Sequence, residues 1–295
     1  MIEKLPESIK APIRRVWLKR QLPRVIAKIK AGNVLEDLPA VEREDWKARI
    51  KMVQEAPDNA LIPRHPDAGK LIGGDFVMHN GIRINPMSYY SSGNLVLLEA
   101  NKGVHEPQEE YVFQEVLKSL EPGSVMIELG AFWAFYSLWF QEVVPEAKSY
   151  MVEPVNVWQG QENFRLNRKK GVFKKAMVGA KPAKLDNGEE VVSVDSFVKA
   201  QNISRIDILH SDIQGYELDM LKGCEEVLRQ GLVRYFFIST HSNELHDACV
   251  DFLKEAGFEI LNSVNKDQSY AFDGLLVAHN PKFGEPVRVE TSIRK

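Results

Sequence analysis

Residues 125–140 read V-M-I-E-L-G-A-F-W-A-F-Y-S-L-W-F. An apolar run that meets an acid, Glu128, then a glycine, Gly130, and then resumes with aromatics has the pattern of a buried strand, a tight turn and a buried helix. Its uncharged part, residues 129–141, falls short of the roughly 20 apolar residues that a membrane-crossing helix needs. The stretch is therefore expected inside a soluble fold. Glu128 and Gly130 then mark either a ligand site or a corner of the core.

Working outward, strand-like runs at 125–127, 149–152, 175–178, 206–209, 233–238, 259–261 and 275–278 alternate with helical runs near 135–143, 157–166, 216–229 and 243–256. The last helix shows its stripe in Leu245, Cys249, Phe252, Leu253 and Ala256, with Gly257 as its C-cap. Such alternation implies an α/β fold, a mostly parallel seven-stranded sheet with helices on both faces. Runs 259–261 and 275–278 are joined without a helix, so the last strand is expected to return antiparallel.

Upstream, Asn80-Gly81 between short alternating runs signals a hairpin with a type I′ turn. Residues 107–120 carry Val112, Phe113, Val116, Leu117 and Leu120 at helical spacing, with Glu109 and Glu110 in the first turn. Residues 1–75 differ in kind. Pro6, Pro12, Pro23 and Pro39 break them into short helices. Lys10, Arg14, Arg15, Lys19, Arg20, Arg24, Lys28 and Lys30 give positive charge, and Ile13, Val16, Trp17, Val25, Ile26 and Ile29 an apolar face. This module reads either as an accessory or homo-oligomer contact with a solvated face, or as a surface attracting an anionic glycan or lipid. The division expected is thus 1–75 helical accessory module, 76–120 hairpin and covering helix, 121–281 α/β domain, and 282–295 C-terminal tail.

With 295 residues, 44% of them hydrophobic and 27% charged, the chain can bury a large core. A formal net charge of -3 gives no sign of a nucleic-acid partner. Glu3, Lys4, Glu7 and Lys10 interrupt any secretory signal, which makes the cytoplasm the default. Cys224 and Cys249, both on expected helices, form neither a disulfide framework nor a C-x-x-C pair and read as packing residues.

In a sheet of this kind ligands bind beyond the carboxyl ends of the strands. A dinucleotide site there needs G-x-G-x-x-G, whereas the first loop has only Gly130, followed by Phe132, Trp133 and Ala134. Side chains of that size obstruct a diphosphate and disfavour a nicotinamide oxidoreductase. They do not obstruct a nucleoside with an amino-acid tail. Glu153, 25 positions after Glu128, is close to the roughly 20 expected for an acid on ribose hydroxyls.

The arrangement resembles class I S-adenosylmethionine (SAM) methyltransferases with a Rossmann-like sheet, and more narrowly the FkbM family. The resemblance rests on E-L-G-A at 128–131, M-V-E-P at 151–154, V-D-S-F at 194–197, S-D-I-Q-G-Y-E-L-D-M-L-K-G at 211–223 and H-E-P at 105–107. It covers about 103–279, leaves the first 75 residues unexplained, and is most specific in the block 212–223. Two departures stand out: Phe132 and Trp133 where many members have a second small residue and an Asn, and Gln214 where many have Glu.

The resemblance implies SAM as cofactor, held by Glu128, Gly130, Ala131, Phe132, Ser137, Glu153, Pro154 and Asp212. It implies methyl transfer to a hydroxyl, that of a sugar or glycan precursor. The alternative is a methyltransferase-fold binding or scaffolding protein whose cleft Phe132 and Trp133 close. A base beside the methyl must lie near the fourth and fifth strand ends, where Asp212 and His241 stand. His241 is expected to titrate near neutral pH, or else to cap the helix after it. Asp212 orients the acceptor, assists His241 or helps bind a divalent ion, or else caps its own helix. His210, Tyr216 and His246 are weaker candidates, and no spacing matches a recognised metal motif.

Overall fold

The computed structural model describes residues 38–88 and 92–295, together with single positions between 13 and 36. Of the positions named above for the N-terminal module, Pro6, Pro12, Lys10, Arg14, Arg15, Lys19, Lys30, Trp17, Val25 and Ile29 lie outside the described residues. Helix α1 (Ala40–Glu55) starts after Pro39 and runs into a 3₁₀ turn, Pro57–Leu61.

Strands β1 (Leu71–Ile72), β2 (Asp75–Val77) and β3 (Arg83–Ile84) form a small antiparallel sheet in which Phe76 faces Ile84 and Val77 faces Arg83. The hairpin falls where Asn80-Gly81 points, but its turn is not type I′. Gly81 takes φ 87° while Asn80 does not turn positive, and the Gly81 N–H bonds to the Met78 carbonyl at 3.0 Å. The loop is one residue longer than the two-residue form, with Gly81 absorbing the left-handed step.

Helix α2 (Ser92–Ala100) leads to α3 (Pro107–Leu117), which ends before the expected Leu120. Glu110 caps α3 from within, its Oε1 accepting the N–H groups of His105 (2.8 Å) and Glu106 (3.0 Å).

The central sheet is built from β4 (Val125–Leu129), β5 (Lys148–Glu153), β6 (Val172–Lys175), β10 (Ile206–Ser211), β11 (Val233–Thr240), β12 (Glu259–Val264) and β13 (Gly274–His279). Its order is β12-β13-β11-β10-β4-β5-β6. Strands β6, β5, β4, β10 and β11 pair in parallel, whereas β13 runs antiparallel between β11 and β12. The mostly parallel seven-stranded Rossmann-like sheet with an antiparallel last strand is therefore observed. One strand is displaced: the run expected at 175–178 splits, Val172–Lys175 joining the main sheet while β7 (Met177–Val178) pairs with β9 (Glu190–Val192) beside β8 (Ala183–Lys184).

Alternate residues of the strands feed two cores. Met126, Ile208, Tyr235, Phe237 and Val277 point to one face, and Ile127, Leu209, Phe236, Ile238 and Leu276 to the other. Helix α4 (Phe135–Val143), α3 and the hairpin cover the first face. Helices α6 (Val194–Gln201), α7 (Glu217–Lys222), α8 (Glu225–Gln230) and α9 (Asn243–Glu255) cover the second, and α5 (Trp158–Leu166) packs near β3.

The single helix expected at 216–229 is two. A Cβ on Gly223 would stand 2.6 Å from the Gly179 carbonyl, so bare backbone is required where the helix breaks. Asp195, from the V-D-S-F motif, then caps α8 by accepting the N–H groups of Glu226 (2.8 Å) and Val227 (2.9 Å). Cys224 and Cys249 are free and buried in this second core.

Candidate active site

The carboxyl ends of β4, β5 and β10 open on a cavity of about 790 Å³. Its walls include Glu128, the loop Gly130, Ala131, Phe132 and Trp133, then Glu153 and Pro154, and across from them His210, Asp212, Gln214 and Tyr216. Arg49 of α1, the H-E-P residues His105 and Glu106, and Phe272 and Asp273 complete it. The volume lies within the roughly 300–1,000 Å³ usual for small-molecule sites.

The strand-end loop is shaped by backbone contact. Gly130 takes φ 73°, and a Cβ there would stand 1.8 Å from the Asp212 carbonyl oxygen, so its glycine is demanded by the neighbouring loop. Phe132 (φ 39°) and Ala134 (φ 58°) are also left-handed, which turns the chain sharply into α4. Trp133 stacks on Phe135 (centroids 5.1 Å, 15°) and meets His105 edge-on, leaving the cavity open.

Two of the expected cofactor acids are already hydrogen bonded. Glu128, buried at the end of β4, accepts the Ser137 N–H at 3.0 Å and so caps the first turn of α4. Burial pushes its pKa up against the opposing pull of His210 and Ser137. Glu153 accepts N–H groups from Phe132 (3.2 Å), Val155 (2.7 Å) and Asn156 (3.3 Å). Of the about four acceptor positions of a carboxylate, three are filled, and Oε2 keeps one for a ligand hydroxyl. Ser137 lies behind Glu128, wholly buried, and does not line the cavity.

His241 also stands behind the cavity wall. Its Nδ1 lies 2.9 Å from Glu217, and its Nε2 lies 3.3 Å from Asp212 and 3.4 Å from Asp273. Burial alone would lower its pKa; the hydrogen bonds to Asp212 and Glu217 and the charge of Asp273 outweigh burial and push it up to about 10. It is held as an imidazolium through neutral pH, where the sequence suggested a group titrating near 7. Asp212 responds in reverse: burial raises it, but the His241 and Gln214 hydrogen bonds prevail and hold it below the usual carboxylate range. His246 bonds to Thr240 (2.9 Å) and Ser263 (2.8 Å) within the core, away from the cavity.

The opposite wall holds a second ionic cluster. His105 Nδ1 lies 2.6 Å from Glu110, and His79 Nε2 is 3.0 Å from the same carboxylate. His210 Nε2 lies 2.7 Å from Glu109, which also accepts from Ser239 at 3.1 Å. Burial opposes the charged form of His210, yet Glu109, Glu128 and Asp212 push its pKa up to about 9. Glu106 accepts the Tyr136 hydroxyl at 2.8 Å through Oε2, with His105 Nε2 at 3.4 Å. Burial raises its pKa, His105 opposes, Glu109 and Asp212 add to the rise, and it reaches about 7. Among the described residues no group of three or more His, Cys, Asp or Glu side chains is placed to hold a metal.

Sequence reasoning missed Arg49, Glu106, Tyr136, Glu217, Phe272 and Asp273. The H-E-P motif was the one available signal for Glu106, but it precedes a helix rather than following a strand.

A mostly parallel, Rossmann-like α/β sheet with a cavity at the carboxyl ends of its strands is a frame that serves many ligands. Residues 187–260 match the family described as the methyltransferase FkbM domain, which bears out the resemblance over that segment. A protein of Jannaschia sp. (strain CCS1) described as "Putative methyltransferase" is 36% identical over 89 residues, 28% of this chain and 32% of that one. The chain thus spans about a third of the length of this relative. Among solved structures, a precorrin-6y C5,15-methyltransferase from Geobacter metallireducens GS-15 aligns at 13% identity over 58% of this chain and 87% of its own, with TM-score 0.41. TrmK of M. capricolum with S-adenosyl-homocysteine aligns at 12% identity over 57% of this chain and 67% of its own, with TM-score 0.37. The match to a methyltransferase family supports S-adenosylmethionine as the cofactor.

Proposed function

We propose that the chain is a SAM-dependent O-methyltransferase whose acceptor is a hydroxyl of a sugar or glycan precursor. The observation that carries the reading is the cavity itself: it sits beyond the carboxyl ends of the strands, where open α/β sheets bind ligands, and stays open although Phe132 and Trp133 wall it. On this reading Glu128, Gly130, Ala131, Phe132, Glu153, Pro154 and Asp212 hold the cofactor. The remaining acceptor position on Glu153 takes a ribose hydroxyl. Phe132 lies against the adenosine, where an aromatic face costs nothing because no diphosphate has to pass.

The cofactor supplies a methyl on a sulfonium, an electrophile that needs alignment more than activation. Carboxylates and aromatic faces around the methyl position, from Glu106, Asp212, Asp273, Tyr136 and Phe272, suit a cation there. For the acceptor, the exposed Tyr216 and Phe272 offer flat faces for sugar C–H groups, and Gln214 and Asp273 bond hydroxyls. His241 fixes Asp212 and Asp273 in place by its charge.

Thermal-shift measurements with SAM, S-adenosylhomocysteine and NAD test the cofactor. A ligand at about 100 times its Kd stabilises the native state by about 2.7 kcal/mol. Stabilisation by the first two but not by NAD is expected, and Glu153→Ala should weaken it. A panel of nucleotide sugars and free glycans, assayed for S-adenosylhomocysteine release, tests the acceptor. Methyl transfer only to nitrogen or carbon acceptors would sink the O-methylation reading, and a SAM-blind protein would leave the scaffolding alternative.

A further inference from the structure

We propose that Glu106 is the proton acceptor of the transfer, its free Oε1 taking the acceptor's hydroxyl proton as that oxygen attacks the methyl carbon. The inference rests on the methyltransferase reading and assigns a residue that the strand-end positions did not suggest.

The geometry leads there by what each other group is doing. Glu153 is occupied by three backbone N–H groups and Glu128 by the start of α4. His241, held by Asp212, Glu217 and Asp273, has no vacant lone pair while it is an imidazolium. His210 is likewise held as a cation by Glu109, and His105 Nδ1 is taken up by Glu110 at 2.6 Å, which raises its pKa. Asp212 gives Oδ1 to both Gln214 and His241 and is a weakened base.

Glu106 differs in three respects. It lines the cavity opposite Asp212, and its Oε2 is fixed by the Tyr136 hydroxyl and faced by His105. Its Oε1 has no protein partner among the described residues. The carboxylate is thus oriented by one oxygen and available through the other. The charged groups facing it are His105 beside it, Glu109 and Glu110 on α3, Asp212 after β10 and Arg49 on α1. Two nearby anions, Glu109 and Asp212, together with burial set its titration near neutral, where a general base is most effective. Tyr136, whose own ionisation burial and Glu106 suppress, stays a donor and acts as the positioning residue.

The step balances. An oxygen lone pair of the acceptor forms the new C–O bond, the C–S bond breaks and its electron pair stays on sulfur. The hydroxyl proton moves to Glu106 Oε1. A carboxylate and a sulfonium become a carboxylic acid and a thioether, and the proton then passes to solvent in the cavity.

The test uses the full chain and the variants Glu106→Gln, Glu106→Asp and Tyr136→Phe. Binding of SAM and S-adenosylhomocysteine is measured first by calorimetry. Glu106→Gln is expected to bind the neutral thioether S-adenosylhomocysteine within about twofold of the parent while kcat falls by about 10²–10⁴ on any sugar hydroxyl that the parent methylates. Glu106→Asp should recover part of that loss. The acid limb of the parent kcat/KM profile should fall near pH 7 and move to higher pH in Tyr136→Phe. Carbon-13 spectra of the side-chain carboxyls, recorded on the S-adenosylhomocysteine complex, should contain a signal that titrates near neutral and is missing from Glu106→Gln. That reading needs no acceptor. Full turnover by Glu106→Gln, or a Glu106 signal titrating in the ordinary carboxylate range, would overturn the assignment and leave the methyltransferase reading intact. A parent that binds neither SAM nor S-adenosylhomocysteine would overturn both.

Discussion

Two ionisable centres stand on opposite sides of one cavity and reach opposite states. His241 is one cation among three carboxylates, Asp212, Glu217 and Asp273. Glu106 is an acid faced by two other acids, Glu109 and Asp212, with the His105 imidazole beside it. The histidine, which alone would titrate near neutral, is carried out of that range to about 10; the glutamate, which alone would be ionised, is brought into it at about 7. Residue type proposes a role, and the surrounding charge decides it.

The comparison breaks most completely if the frame shared by both centres is moved. Gly130→Ala places a methyl where the Asp212 carbonyl oxygen lies and keeps a left-handed φ, so a loss above about 4 kcal/mol, or no folded protein, is expected from urea unfolding. His241→Ala should come next. It leaves Asp212, Glu217 and Asp273 facing one another. A severed buried pair costs about 3–5 kcal/mol. Because Asp212 and Asp273 keep solvent contact, with side chains 32% and 20% exposed, on the order of 2 kcal/mol is expected.

The pH dependence separates the two centres further. A histidine with a raised pKa stabilises the fold fully below its unfolded value near 6.5 and loses that contribution as pH rises through about 10. Parent stability should therefore fall across that window, and His241→Gln should lack this component. For Glu106 the folded protein holds the proton more tightly than the unfolded chain between about 4.5 and about 7. Stability again falls as pH rises, but in a lower window, and a constant penalty remains above it. Glu106→Gln should remove that slope and gain on the order of 1 kcal/mol at pH 8. The smallest effect is expected from Tyr136→Phe, about 0.5–1 kcal/mol for one hydrogen bond.

The sheet was largely legible because parallel strands buried on both faces write themselves as apolar runs. The miss at β6 has a physical cause. Val172–Lys175 is an edge strand whose residues are half-buried or exposed, so the more apolar Ala176, Met177 and Val178 drew the strand assignment instead. The break between α7 and α8 depends on the Gly179 carbonyl, far away in sequence.

In the site, Glu128, Gly130, Ala131, Phe132, Glu153, Pro154 and Asp212 all line the cavity, because position after a strand is itself a spatial statement. The protonation of His241 was not legible. Its partner Glu217 opens the helix after β10, beyond the strand-end positions themselves, and Asp273 comes from a loop before the last strand, outside the sheet's βα order. Glu106 and Arg49 enter from elements outside that order too.

The contact of Gly130 with the Asp212 carbonyl also bears on motion. Where two loops meet backbone to backbone, no side chain is left to rotate aside. That seam can act neither as a hinge nor as a gate, so any breathing of the chamber must come from its other walls. Phe272 and Tyr216, exposed on the cavity wall, and Arg49, its guanidinium 4.6 Å from the Phe272 ring, are side chains that can swing without disturbing the sheet. On that side the chamber can widen by side-chain rotation alone.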